Sequence, residues 1–228
     1  MSRETSSIIC SASARDAELI ETPNGSITIY PRCGPGSFSG LKLDAGIGNF
    51  SHYSSIIQKL EVFEKVASAK DGRVALALRE ENRVVGYLAC WYPDRAERWS
   101  KLGELMYEMG AVEVSRNFRH VNVAQKMISL ILADDFFEDK IAYMNGFSWH
   151  WDLDGSGLNM AEYRKMMMHL LKGHGFQEYY TNEPNIALRE ENIFMARIGS
   201  RVSVEHQKRF RNLRFGIVDR SITEKPSF

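Results

Sequence analysis

Cysteine is scarce in this chain, with only Cys10, Cys33 and Cys90 among 228 residues, and no two stand at a metal-knuckle or redox-pair spacing. They read as reduced thiols, and a disulfide scaffold or structural zinc has no sequence support. Charge of one sign is also lacking, since 29 acidic residues balance 29 basic ones. That balance argues against a general nucleic-acid binder. No apolar run approaches the roughly 20 residues that span a bilayer. The start, Met1-Ser2-Arg3-Glu4, lacks the apolar core of a secretory signal. A cytoplasmic location with no membrane partner is therefore expected. Internal repeats and Pro-rich linkers are absent, and the Gly-rich stretch 32–40 lacks the Lys-Ser/Thr pair that closes a P-loop, so it reads as a surface loop.

What is present is ordinary for one globular α/β domain: 44% hydrophobic and 25% charged residues. Residues 26–30 alternate as a short strand. Ile56, Ile57, Leu60, Phe63, Val66 and Ala67 recur at helical spacing and predict a helix over 54–69. Two apolar runs, 73–79 and 83–91, flank a short polar turn and predict a hairpin. A third strand is expected over 110–114. Val123, Ala124, Met127, Ile128, Ile131 and Leu132 share a face of the next helix. A strand is expected over 141–152, interrupted near Asn145-Gly146, with Phe147, Trp149 and Trp151 on one face and the two tryptophans as core anchors. Asn159 and Glu162 form a capping-box pair for the following helix. Closing strands are expected at 177–181 and 193–198, and the last dozen residues read as a loose tail.

The most informative stretch runs from Val112 to Met127. It reads as strand, polar turn and helix, and it places the free N–H groups of a helix N-terminus at the turn, a natural seat for phosphate. The spacing Arg119-x-x-Asn122-x-Ala124 resembles the Gln/Arg-x-x-Gly-x-Gly/Ala signature of the GCN5-related N-acetyltransferases (GNAT). In that family the signature holds the diphosphate of acetyl-CoA. Asn122 stands where the first Gly is usual, and Asn tolerates the positive φ such a turn needs. Further pieces appear in one order: Glu97-Arg-Trp-Ser100, Gly110-Ala-Val-Glu-Val-Ser115, Trp149-His-Trp-Asp-Leu153, Glu162-Tyr-Arg-Lys165, Asn182-Glu-Pro-Asn-Ile186, Met195-Ala-Arg-Ile-Gly199 and Leu213-Arg-Phe215. Together they look like the acetoin-utilisation acetyltransferases of AcuA type, over about residues 73–215.

That resemblance implies a single-domain GNAT fold: a mixed, mostly antiparallel sheet with one splayed strand pair, flanked by helices. It would occupy 51–216, after an N-terminal extension (1–50) and before a flexible tail (217–228). It also implies transfer of acetyl from acetyl-CoA, without metal, to a lysine of AMP-forming acetyl-CoA synthetase as protein partner, turning that enzyme off. Two other readings keep part of the pattern: an N-acetyltransferase of small amines, and a non-catalytic acyl-CoA sensor. Backbone at Val112 and Val114 and the turn His120, Val121, Asn122, Val123 and Ala124 would hold the cosubstrate. Arg119 and Lys126 would add charge near the phosphates, although Lys126 also fits a solvated helix face. Glu113, one strand residue before Val114, is the candidate base, with His150 as its rival. The general acid is open. Leu171 stands where the wider family places a Tyr, and Tyr163, two turns earlier, is the remaining candidate. Arg209, Arg211 and Arg214 form a basic stretch that fits either a solvated helix face or a docking patch.

Overall fold

The computed structural model describes residues 16–80 and 82–217. In chain order the elements are β1 (Glu18–Ile20), β2 (Ile27–Tyr30), β3 (Lys42–Leu43), β4 (Asn49–Phe50), β5 (Tyr53–Ser54), α1 (Leu60–Ser68), β6 (Arg73–Arg79), β7 (Arg83–Trp91), β8 (Met106–Val114), α2 (Val123–Leu132), β9 (Ile141–Gly146), α3 (Leu153–Ser156), α4 (Met160–Lys172), β10 (Gln177–Glu178), α5 (Pro184–Ala187), β11 (Ile193–Ile198) and α6 (Val204–Leu213). The main sheet runs β1-β2-β6-β7-β8-β9-β11-β10, and β3 adds to β7. All neighbours pair antiparallel except β8 with β9 and β3 with β7. This is the mixed, mostly antiparallel sheet with flanking helices that the sequence implied. The extension contributes strands β1 and β2 to one edge of the sheet.

Two apolar layers sandwich the sheet. On one face α2 buries Val123, Met127, Ile128 and Ile131 against Ala75, Val85 and Leu88. On the other, α1 is anchored by Phe63, edge-on to Tyr87 with ring centroids 5.1 Å apart. A third cluster stacks Trp99 on Phe194 at 4.3 Å, beside Phe210 of α6. Burying such rings is what holds helix to sheet, at about 3–5 kcal/mol for each Phe truncated.

One pairing positions the site. β8 and β9 run parallel through Met106↔Ile141, Tyr107↔Ala142 and Glu108↔Tyr143, and pair no further. Beyond that fork the strands separate, while β8 continues six residues to Val114 along β7. A bulge between Ala89 and Cys90 leaves Gly110 outside the register, and the ring of Trp91 occupies the space a Cβ there would need.

Several boundaries differ from the sequence expectation. The helix expected over 54–69 begins at Leu60, because Tyr53–Ser54 turns back to pair with Asn49–Phe50. The third strand starts earlier, at Met106. The strand expected over 141–152 breaks at Gly146, the expected interruption, but does not resume, because the backbone turns through a 3-10 segment, Ser148–His150, that bonds Ser148 N–H to Asn192. The alternation of Phe147, Trp149 and Trp151 is therefore not that of a strand. Trp151 is buried, but Trp149 is 44% exposed, stacked on Phe147 with Arg189 over its ring. The strand expected over 177–181 closes at Glu178, whereas Ile193–Ile198 and the Asn159–Glu162 capping box form as anticipated. The tail beyond 217 lies outside the described residues.

Candidate active site

A cavity of about 290 Å³ opens where β8 and β9 part. Its walls include Ala111, Val112, Glu113 and Val114 from β8, Met144 to Gly146 from β9, and Met166 and Leu170 from α4. His120, Asn122, Val123 and Ala124 of the turn leading into α2 also line it.

That turn presents the start of a helix to the cavity. His120 and Asn122 both adopt left-handed backbone, with φ of 65° and 63°. Asn122, at the usual glycine position, takes this conformation as the N-cap of α2 and makes no side-chain cap bond. The first N–H groups of α2 have no partner inside the helix and lie, with the positive end of its dipole, on residues that line the cavity. Small Ala124 leaves room there. The two cations expected to help are otherwise engaged. Lys126 pairs with Glu18 at 2.5 Å. Arg119 donates to Asp152 at 2.7 Å and to the Val114 carbonyl at 3.3 Å.

Asp152, fully buried, is the node of this end. It accepts from Arg116 Nε at 2.9 Å and Nη2 at 2.5 Å, from Arg119, and from the Gly155 N–H at 3.0 Å. These donors outweigh burial, the largest single influence, and hold its carboxyl below the usual range. Arg116 also stacks over Phe50, 3.5 Å from the ring centroid. The node ties the β8–α2 turn, the β4–β5 hairpin and the β9–α4 connection together across the open fork.

Glu113 lies on the sheet face opposite Val112 and Val114, only 7% exposed and directly across from Tyr87 in the β7–β8 register. Its carboxylate accepts from Ser55 Oγ at 2.6 Å and from Tyr87 Oη at 2.6 Å, with the Tyr53 hydroxyl beside it. Burial raises its pKa, and the three hydroxyls and Arg119 offset part of that rise. The neighbouring tyrosines are pushed well above their ordinary value, first by burial and then by the Glu113 charge, so they stay neutral donors. A carboxylate so placed is poised to take a proton.

His150 sits exposed at the cavity rim beside Trp149, and partial burial of its ring lowers its pKa. Tyr163 lines the cavity, stacked on Trp151 at 5.2 Å. Burial raises its pKa, and its hydroxyl bonds the backbone of Asp152 with Arg119 and Glu113 nearby. Leu171 is fully buried in the core. Glu113, His150, Tyr163 and the turn thus border one cavity. Arg209 and Arg211 lie on α6, whose buried residues Phe210 and Leu213 belong to the separate Trp99 cluster. Arg214 is packed over the rings of Tyr179, Phe210 and Phe215 and donates to the Tyr180 carbonyl. Sequence reasoning missed Tyr53, Ser55, Tyr87, Arg116 and Asp152. Only Tyr87 was recoverable, by pairing the hairpin onto the next strand.

At the fork itself, Glu108 of the last pair accepts from Asn145 Nδ2 at 3.1 Å, two residues beyond the end of the pairing on β9. Burial, reinforced by Glu97, pushes its carboxyl up to about 7. Among the described residues no group of three His, Cys, Asp or Glu is arranged to hold a metal, and no helix is long and apolar enough to cross a membrane.

Known proteins share this architecture. The chain is 32% identical over 197 residues to the acetoin utilization protein AcuA of Bacillus subtilis, covering 86% of this chain and 92% of that protein. It is 32% identical over 200 residues to the AcuA protein of Bacillus licheniformis, covering 87% and 93%. The crystal structure of an acetoin utilization protein from Exiguobacterium sibiricum superposes with a TM-score of 0.80 at 30% identity, covering 87% of this chain and 93% of that one. No protein-family model matches the chain.

Proposed function

The chain belongs to the AcuA-type acetoin utilization proteins, and on that premise we propose that it is a GCN5-related N-acetyltransferase that acetylates a lysine of AMP-forming acetyl-CoA synthetase and so silences it. The observation that carries the catalytic part is Glu113, a buried carboxylate bordering the cavity where β8 leaves β9. Acetyl-CoA seats its diphosphate on the amides at residues 120–124, with Ala124 giving room. The pantetheine arm lies along the strand edges that the fork leaves unpaired, near Val112 and Val114. This orders the thioester beside Glu113.

Glu113 takes a proton from the lysine ammonium, and the neutral amine attacks the thioester carbonyl. The C–N bond forms, the C–S bond breaks and the thiolate leaves, while the nitrogen sheds its second proton, which ends on that thiolate. A thiolate is a fair leaving group. Tyr163, next to Arg119, is the hydroxyl available to protonate it, and His150 at the rim is the alternative proton acceptor.

The test is transfer from labelled acetyl-CoA. Purified acetyl-CoA synthetase should become labelled on a lysine and lose activity. Label on free amines alone would favour a small-molecule acceptor, and binding without transfer would favour an acyl-CoA sensor.

A further inference from the structure

Base catalysis requires Glu113, only 7% exposed, to be stable in two protonation states, and the structure contains a residue suited to that demand. We propose that Ser55 is a positioning residue for the reaction, a hydroxyl that reverses its hydrogen bond to match the charge on Glu113. This rests on Glu113 being the base, as proposed above.

Counting hydrogens shows why the serine fits. Ser55 is 2% exposed, and its Oγ has three polar neighbours: the Gly48 N–H at 2.8 Å, the Gly48 carbonyl at 3.0 Å and Glu113 Oε1 at 2.6 Å. A serine hydroxyl owns one hydrogen and two lone pairs. The Gly48 N–H occupies one lone pair in either state. The hydrogen has two acceptors in range and can serve only one at a time. With Glu113 ionised, it points to Oε1. With Glu113 protonated, the new O–H on Oε1 donates into the free lone pair of Ser55, and the serine hydrogen turns to the Gly48 carbonyl. Each group keeps a partner in both states, and no heavy atom moves.

Tyr87 cannot play this part as readily. Its oxygen already accepts the Ile57 N–H at 3.1 Å, and its hydrogen is given to Glu113 Oε2. It serves as a fixed donor to the ionised form. The other groups facing the carboxylate are Tyr53 from β5, Arg119 from the β8–α2 turn and Tyr163 from α4. The tyrosines remain neutral, and a guanidinium keeps its charge at any working pH, so none of them masks a change at Glu113.

The proton balance is closed. An N–H bond of the lysine ammonium breaks, an O–H bond on Glu113 forms, and Ser55 gains or loses nothing. Ser55 reaches this spot through local chain geometry. The β4–β5 hairpin folds over the end of β8, and Ser55 follows it immediately, bonded back to Gly48.

The test is the pH profile of kcat/KM for Ser55→Ala, with acetyl-CoA affinity measured alongside by calorimetry. Loss of a hydrogen bond to a charged carboxylate raises its pKa, because the ionised form loses more than the neutral one. The acid limb reports Glu113 losing its proton, so it should move to higher pH, by about one unit. On the acid limb turnover should fall about tenfold, with acetyl-CoA affinity unchanged. Ser55→Cys fills the same space with a weak hydrogen-bonder and should show the same displacement, which keeps the test decisive if the alanine variant fails to fold. An acid limb left at the wild-type pH, with or without a slower rate, overturns the role of Ser55. Glu113→Gln, run in parallel, separates the two ideas: if it turns over at the wild-type rate, the base assignment itself has failed.

Discussion

Glu108→Gln removes one charge at the fork while keeping the side chain's size and an oxygen for Asn145. The carboxyl is ordinary in the unfolded chain, near 4.5, and is raised to about 7 in the fold, first by burial and then by Glu97. A raised carboxyl pKa leaves the fold unharmed at low pH and costs stability as pH climbs. Below 4.5 both states hold the proton and nothing is lost. Between 4.5 and 7 the unfolded chain ionises while the native site resists, and above 7 the native site ionises too and the loss is complete. Each tenfold difference in proton affinity is worth about 1.4 kcal/mol, so the full cost is about 3 kcal/mol. Glutamine has no such cost. Urea unfolding of both proteins should show the stability gap moving in favour of the variant by about 2–3 kcal/mol between pH 5 and pH 8. A gap that stays constant over that range would refute the desolvated state of Glu108.

The other expectations concern the cavity and its approach. Ala124→Glu puts a carboxylate and added bulk at the first turn of α2 and should weaken acetyl-CoA binding at least about tenfold, roughly 1.4 kcal/mol by calorimetry; unchanged affinity would move the diphosphate elsewhere. Asp152→Asn leaves Arg116 and Arg119 without their shared carboxylate, so thermal or urea unfolding should show a loss of about 3 kcal/mol, and a loss below about 0.5 kcal/mol would mean the node is dispensable. Reversing Arg209 and Arg211 to Glu should slow acetylation of intact acetyl-CoA synthetase more than that of a short lysine peptide, and equal slowing of both would remove α6 from docking.

Much of the fold could be read along the chain because its signals were local. The hairpin of β6 and β7 announced itself by two apolar runs around a polar turn, and α4 by its capping box. The strand, turn and helix over 112–127 were legible for the same reason, including the tolerance of Asn122 for positive φ. Errors arose where distant contacts decide the backbone. Ile56 and Ile57 carry helical spacing, yet Ile57 N–H is spent on Tyr87 and Ser54 pairs with Asn49, so the helix starts later. Trp149 alternates like a strand residue but follows a break set by Asn192, whose side chain holds Ser148 from 44 residues on. Glu113 could be nominated from its place beside the turn. Its hydroxyl partners could not, because Ser55 comes from 58 residues upstream through a hairpin with no strong pattern. The Asp152 node was invisible for the same reason, since its arginines lie 33 and 36 residues away.

The most direct test of the central claim is the rate of acetyl transfer to acetyl-CoA synthetase by Glu113→Gln across pH. Glutamine keeps the shape and cannot accept the proton. At neutral pH turnover should fall about a hundredfold to ten-thousandfold, with acetyl-CoA affinity near normal, and part of it should return as pH rises and more lysine is already neutral. Wild-type turnover at neutral pH would contradict the account, and proton removal would then have to be sought at His150.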